Sequence, residues 1–403
     1  FLQRYLLIPN GSLYAKDKLT LVDKRIRELN FLSPVQAADL SMLGSGATLN
    51  VYAKSRKSSR ADFLIGFLPN ANNSGKMQVT ADVNLDLKNM FRNGESILLK
   101  WQQLQPQSPR LNLGYLQPYI MGSPFGMDLA FDLFKKDSSF LLVNAQIGIP
   151  YAVSAQQTAK LFFQWQNTSL LPGGVDTIAI RNQKKLPVNI DASTANIGLQ
   201  FDWNHTDYRL NPRKGYEWRW TGTVGIKTIR KNNDILSIAD PGYDYNNLYD
   251  SIRLRNYQLR FKAVGAHYLP VGKRATVKLG LQAGYYGSPE IFRNDLFQIG
   301  GYQVLRGFDE ESIYATRYAV LTAEWRLLID QNSYVMFFSD GGLSVNRFQE
   351  VNIQNQFISG GLGILYETKA GLLNLSFALG KRNDVPFNLR SAAKLHFGYI
   401  NYF

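Results

Sequence analysis

Residues 77–88 read MQVTADVNLDLK. One face of this stretch takes Met77, Val79, Ala81, Val83, Leu85 and Leu87, and the other takes Gln78, Thr80, Asp82, Asn84, Asp86 and Lys88. A period of two is the mark of a β-strand with one apolar and one polar side. Soluble strands are usually about 5–6 residues long, and this run is twice that. A strand that crosses a bilayer at a tilt needs about 9–11 residues. The same pattern returns in Tyr216 to Lys227, in Tyr257 to Ala263 and in Thr276 to Tyr285, with Tyr, Trp and Phe near the ends. Aromatic girdles flank the apolar band of a membrane barrel. The stretch therefore points to a transmembrane β-barrel rather than a soluble sandwich.

Composition agrees. The chain has 403 residues, 13% of them aromatic, and no run approaches the roughly 18 apolar residues of a membrane helix. A barrel needs no such run, because only alternate residues meet lipid. The net charge of +14 has two readings, a nucleic-acid patch or cations on a hydrated lumen and near anionic headgroups. The cations are spread along alternating strands, which favours the second, and no nucleic-acid partner is expected. There is no Cys and only three His, at His205, His267 and His396, so neither a disulfide framework nor a metal site is expected. No cofactor is expected. No signal peptide is visible and the chain starts at Phe1, which reads as a processed or trimmed N-terminus.

Counting alternating segments from Ala61 gives about sixteen, an even number as bacterial barrels have. Short connections fall at Pro270 to Lys273, Asp330 to Ser333 and Thr368 to Gly371. Long ones fall at Leu170 to Ser193, Ile229 to Asp250, Ser288 to Arg317 and Arg347 to Gln356. Short turns belong in the periplasm and long loops outside. The expected fold is all-β, a 16-stranded antiparallel transmembrane β-barrel over residues 61–403. Residues 1–60 differ. Leu19, Val22, Ile26 and Leu29 have helical spacing in Lys16 to Asn30. Phe31 to Leu40 and Ala47 to Lys54 then read as two strands joined at Gly44-Ser45-Gly46. This is the back half of a small α+β domain, placed in the periplasm by its direct link to the barrel.

The loop before Arg317 contains Gly300-Gly301-Tyr302-Gln303-Val304-Leu305-Arg306-Gly307-Phe308. It reads either as an ordinary Gly-rich external loop or as one folded back into the lumen, where Gly permits close backbone approach. Next to it, Leu321, Ala323, Trp325 and Leu327 make a lipid face, and Thr322, Glu324 and Arg326 face inward. Phe338 and Asp340 share a face, although Asp340-Gly341 is also a hairpin-turn signal. An inward Asp340 or Glu324 could take the Arg306 guanidinium as a bidentate pair.

These residues resemble the BamA/TamA superfamily of outer-membrane assembly barrels, the bacterial surface antigen family. Its inward sixth loop ends in Arg-Gly-Phe, matched by Leu305, Arg306, Gly307 and Phe308, with Leu where Val is commoner. Its Phe-x-Asp-x-Gly wall motif is matched by Phe338, Asp340 and Gly342, and its Glu-x-Arg pair by Glu324 and Arg326. The Asn211-Pro212-Arg213-Lys214-Gly215 turn is similar to the family's turn before a middle strand, and residues 1–60 resemble the tail of a POTRA domain. The last strand ends in Phe403, similar to the terminal signal of outer-membrane substrates.

The resemblance implies a Gram-negative outer-membrane protein that assembles, inserts or transports other proteins and has no enzymatic activity. Its partners would be unfolded outer-membrane β-barrel proteins or translocated polypeptides, the bilayer with its lipopolysaccharide, and accessory lipoproteins or periplasmic subunits. The barrel would close between Ala61 to Pro69 and Lys394 to Phe403, where Gly66 and Gly398 weaken the strands and Phe403 ends the chain, forming a lateral seam. A two-partner secretion translocator shares these motifs. A passive porin is the third reading. No nucleophile elbow or fixed acid–base pair points to an enzyme.

Overall fold

The computed structural model describes residues 1–402 apart from 7, 30, 45, 56–57, 70–76, 104–106, 121–122, 155, 209–210 and 369–370. Sixteen strands make up its large sheet. They are β1 (Arg60–Pro69), β2 (Met77–Lys88), β3 (Ser96–Gln103), β4 (Arg110–Gln117), β5 (Met127–Lys136), β6 (Phe140–Ser154), β7 (Gln157–Leu170) and β8 (Ala192–Thr206). The series continues with β9 (Gly215–Ile229), β10 (Arg255–Val271), β11 (Ala275–Gly287), β12 (Arg317–Leu328), β13 (Tyr334–Phe348), β14 (Val351–Thr368), β15 (Gly371–Arg382) and β16 (Ala393–Tyr402). Each pairs antiparallel with the next in sequence, so the all-β antiparallel expectation is borne out.

Alternation explains the two faces. On β12, Leu321, Trp325 and Leu327 are 63%, 42% and 43% exposed, while Glu324 and Arg326 between them are buried. Outward Leu259 and Phe261 on β10, Leu279 on β11, Phe337 on β13 and Leu362 on β14 repeat the pattern. A continuous apolar exterior over a polar interior inverts the plan of a soluble protein and matches a wall that faces lipid. Among the described residues no helix is long and apolar enough to cross a membrane, and crossing by strands needs none.

β16 meets β1 through three described residue pairs, Ile400 with Asp62, Asn401 with Ala61 and Tyr402 with Arg60. Every other junction of the sheet has seven or more, the fewest being β3 on β4. Antiparallel ladders gain their stability pair by pair, and among the described residues this junction is the most sparsely paired.

One expectation about connections needs correction. Arg347 to Gln356 is not a long loop. β13 and β14 continue through it, paired from Asn346 with Ile353 to Phe348 with Val351, and turn at Gln349-Glu350. The pairing was hidden because polar residues outnumber the apolar Phe348, Val351 and Ile353 in this stretch. Asp340-Gly341 is not a turn either, since Asp340 lies mid-strand opposite Thr322 and Ser359. Of the long connections, residues 171–191, 230–254 and 288–296 carry a hydrophobic cluster of their own, with Ile190, Ile235, Tyr245, Tyr249 and Phe292 buried. Beneath it, Lys227 is wholly buried and donates to Asp295 at 2.5 Å and to the Glu290 carbonyl at 2.7 Å. These loops form a folded cap at the long-loop end.

The N-terminal helix breaks at Leu21 into Lys16–Thr20 and Val22–Glu28. Val22 and Ile26 pack with Leu6 in a small core, as the helical spacing required. The two expected strands are one interrupted hairpin. Leu32–Pro34 pairs with Ala53–Ser55, and Asp39–Leu43 pairs with Gly46–Asn50. Pro34 cannot donate to the ladder, which accounts for the interruption beside it. Ser45 and Phe403 lie outside the described residues.

Candidate functional site: an inward loop on the barrel wall

The connection from β11 to β12 turns back into the barrel. Phe297–Ile299 pairs with Ile313–Ala315 at its base, and the tip between them lies against the wall. Its glycines set the path. Gly300, Gly301 and Gly307 have φ of +116°, +89° and +85°, a region other residues adopt at a cost. A Cβ on Gly307 would lie 2.7 Å from the backbone nitrogen of Gly380, and one on Gly380 would lie 2.5 Å from the Gly307 carbonyl oxygen. Loop backbone and β15 backbone touch there with no side chain between them.

Apolar packing holds the residues on either side of Arg306. Leu305 is fully buried among Ile299, Ile313, Ala315, Tyr318, Val320 and Phe357. The Phe308 ring meets Phe357 edge-on at 5.2 Å. Between them the Arg306 guanidinium enters a socket on β12 and β13. Its Nε and Nη2 donate to the two carboxylate oxygens of Asp340 at 2.8 and 2.6 Å. Its Nη1 donates to Glu324 Oε1 at 2.8 Å, and its backbone N–H to Asp340 at 3.2 Å. The guanidinium plane sits 3.6 Å from the centre of the Phe338 ring, a cation–π contact. Gly361 leaves room for that ring, since a Cβ there would come within 2.6 Å of it.

The carboxylates are satisfied on every side. Asp340 also accepts the Thr322 hydroxyl at 2.9 Å. Glu324 Oε2 accepts Nε and Nη2 of Arg326 at 3.0 and 2.7 Å, and Lys278 stands 3.7 Å from Oε1. Arg326 lies near the Tyr334 ring and donates to Asn211 at 3.4 Å; Asn211 in turn donates to the Gln331 carbonyl at 3.1 Å. Glu324 is thus a hub for three cations. Buried charges of this kind fix geometry more than they add stability.

The structure brings together Leu305, Arg306, Gly307, Phe308, Glu324, Arg326, Phe338 and Asp340. A Cβ on Gly342 would lie 3.4 Å from the Phe357 side chain and 3.5 Å from that of Leu305, ordinary contacts, so nothing here demands a glycine. Gly66 and Gly398 lie outside the three seam pairs, facing Thr80 on β2 and Asn374 on β15 respectively. Sequence reasoning missed Lys278, Thr322, Asn211, Tyr302 and Asn374. The first four sit at inward phase or in quoted motifs, but only the fold shows what each touches. Tyr302 accepts a hydrogen bond from Asn374 and packs 5.8 Å from the His396 ring of β16.

The sequence pattern of the Omp85 superfamily domain matches residues 89–398, the wall and loop just described. The chain belongs to the Omp85 superfamily. The BamA/TamA resemblance is borne out at that level. The whole chain superposes on BamA from Haemophilus ducreyi lacking POTRA domains 1–3, at 15% identity and TM-score 0.60, covering 81% of that chain. It superposes equally on CdiB from Acinetobacter baumannii, at 12% identity and TM-score 0.64 over 71% of that chain. CdiB from Escherichia coli gives 12% identity and TM-score 0.60 over 74% of that chain. At such identities the likeness is one of fold. No curated protein matches the sequence significantly. As an Omp85 barrel, this chain carries its loop socket on β12 and β13 and its sparsest junction three strands further on.

Proposed function

We propose that this Omp85 protein is an assembly and insertion factor of the Gram-negative outer membrane, acting through the junction of β1 and β16. Residues 61–403 are the sixteen-stranded barrel. Residues 1–60 are a partial POTRA-like segment in the periplasm, on the short-turn side. The observation that carries the reading is the three-pair seam. Strand edges in lipid are costly when their N–H and C=O groups lack partners. A junction with few pairs opens at least expense and offers its edge to an incoming strand by β-augmentation. The substrates are unfolded β-barrel proteins, and the reaction has no chemical step. Lipid and lipopolysaccharide surround the outward apolar face. Accessory lipoproteins or periplasmic subunits would meet the short-turn side. Gly66 on β1 and Gly398 on β16 are assigned to the seam as weak points of their strands, and Phe403 is assigned to the seam with them.

The test is a disulfide lock. The chain has no Cys, so Ala61→Cys with Asn401→Cys, which face each other in the ladder, gives one defined bridge. The oxidised protein should lose the ability to insert a barrel substrate into vesicles, and reduction should restore it. Full insertion by the locked protein would remove the lateral-seam reading. Export of a soluble polypeptide by the locked protein would establish the two-partner secretion alternative instead.

A further inference from the structure

The inward loop ends in three consecutive acids, Asp309, Glu310 and Glu311, which the Arg306 socket does not use. Their side chains go to different walls. Asp309 pairs with Lys394 of β16 at 2.6 Å. Glu311 pairs with Arg110 of β4 at 2.5 Å. Between them Glu310 turns back on the loop and accepts the Tyr302 N–H at 2.7 Å. β16 is one side of the seam, and β4 lies three strands beyond β1 on the other. A single loop tip therefore holds both sides from within the lumen.

The arrangement is built. Glu311 has φ of +52°, a left-handed conformation that is unfavourable for a non-glycine residue and persists only where surroundings enforce it. Arg110 is fixed independently, with its guanidinium over the Phe134 ring at 4.2 Å and its Nε 3.6 Å from Asp132. On the β16 side, Tyr302 adds the contacts to Asn374 and His396. The Gly307–Gly380 approach seats the same tip on β15.

We infer that Asp309 and Glu311 form an ionic clasp across the seam, so that β1 and β16 separate only as the loop tip releases Lys394 or Arg110. The inference deepens the lateral-seam reading and rests on it. Asp309 and Lys394 are 66% and 28% exposed at the side chain, and Arg110 and Glu311 28% and 24%. Pairs this hydrated are each worth less than about 1 kcal/mol, a factor of about two to five. Such pairs suit a clasp that must open, and they are weakened by salt.

The experiment uses the full chain in vesicles and follows deuterium uptake by the seam segments 60–62 and 400–402, which requires the ladder to open. Lys394→Gln and Arg110→Gln should each speed uptake about two- to fivefold. The swapped pair Arg110→Glu with Glu311→Arg should return it towards the parent rate. Raising salt to about 1 M should speed uptake in the parent chain and leave the double variant Lys394→Gln/Arg110→Gln almost unchanged. Parent-like rates in both single variants, or a swapped pair no slower than Arg110→Glu alone, would overturn the clasp. Should the single variants fail to reach the membrane, the salt response of the parent decides, and a flat response overturns it. The insertion assay on locked protein stays separate. If it shows full insertion while the clasp variants speed uptake, the clasp stands and the lateral-seam function falls.

Discussion

Removing the Arg306 side chain strips Asp340 of two donors, at 2.8 and 2.6 Å, and Glu324 of one at 2.8 Å. The consequences differ for the two carboxylates. Glu324 keeps Arg326 and Lys278. Asp340, with a side chain 1% exposed, keeps only the Thr322 hydroxyl and the loop's own N–H. Breaking a buried pair by deleting one partner costs about 3–5 kcal/mol, because the other charge is left unpaired. Arg306→Ala should therefore shift the docked loop toward release by a factor of about a hundred or more, given tenfold per 1.4 kcal/mol. Apolar contacts of Leu305 and Phe308 would retain part of the docking. Arg306→Lys should recover little, since an ammonium cannot form the fork or the flat stack on Phe338. Adding Asp340→Ala to Arg306→Ala should recover part of the loss by removing the orphaned charge. The assay is single-channel conductance in planar bilayers, with protease cleavage of residues 300–312 as a second reading. Conductance should rise and cleavage should accelerate in the order wild type, double variant, Arg306→Ala. Wild-type conductance and cleavage in Arg306→Ala would refute the view that this socket holds the loop.

Three other outcomes follow from the geometry. Gly307→Val combines a positive φ with a Cβ 2.7 Å from the Gly380 nitrogen, so it should release the loop tip as fully as Arg306→Ala, read by the same cleavage assay. Burial pushes the Glu310 carboxyl up to about 7, against the pull of the Tyr302 N–H. An acid with a raised folded pKa supports the folded contact below its unfolded value, near 4.5, and that support is lost as pH rises through about 7. Conductance should therefore climb between about pH 6 and 8 and be flat in Glu310→Gln; a pH response surviving that change would assign it elsewhere. Lys227→Ala leaves Asp295 buried without its cation beneath the cap, a loss of about 3–5 kcal/mol. Loops 171–191 and 230–254 should become protease-sensitive while the β-sheet circular dichroism stays unchanged.

What the sequence made legible was whatever repeats along a strand. β12 shows it: Leu321, Trp325 and Leu327 outside with Glu324 and Arg326 inside need only period two. The same reasoning misjudged Arg347 to Gln356, because seven of its ten residues are polar and Val351 with Ile353 is too short an alternation to be read. The socket was legible in part. Arg306 with Asp340 or Glu324 is an inference from charge and phase, and both carboxylates turn out to be used. Glu324 as a hub was not legible, since Lys278 lies on a neighbouring strand and Asn211 more than a hundred positions away, and only the sheet register brings them near. The loop cap was hidden for a related reason. Its apolar residues are scattered over three connections with no period, and they become a core only when the barrel rim gathers them.

The hub carries a further consequence. From Arg306 the hydrogen bonds run to Glu324, on to Arg326, then to Asn211 and the Gln331 carbonyl. This line descends β12 from the loop to the short turns before β9 and after β12. Buried, hydrogen-bonded charges such as these polarise one another. Releasing Arg306 leaves Glu324 with two cations instead of three and shifts its balance toward Arg326 and Lys278. A loop that only plugged the lumen would need no such continuation, because the Asp340 fork alone would seat it. The second carboxylate links the seat of the loop to the end of the barrel from which the N-terminal segment emerges. The seat of the loop and the short-turn end of the barrel thus share one hydrogen-bond network.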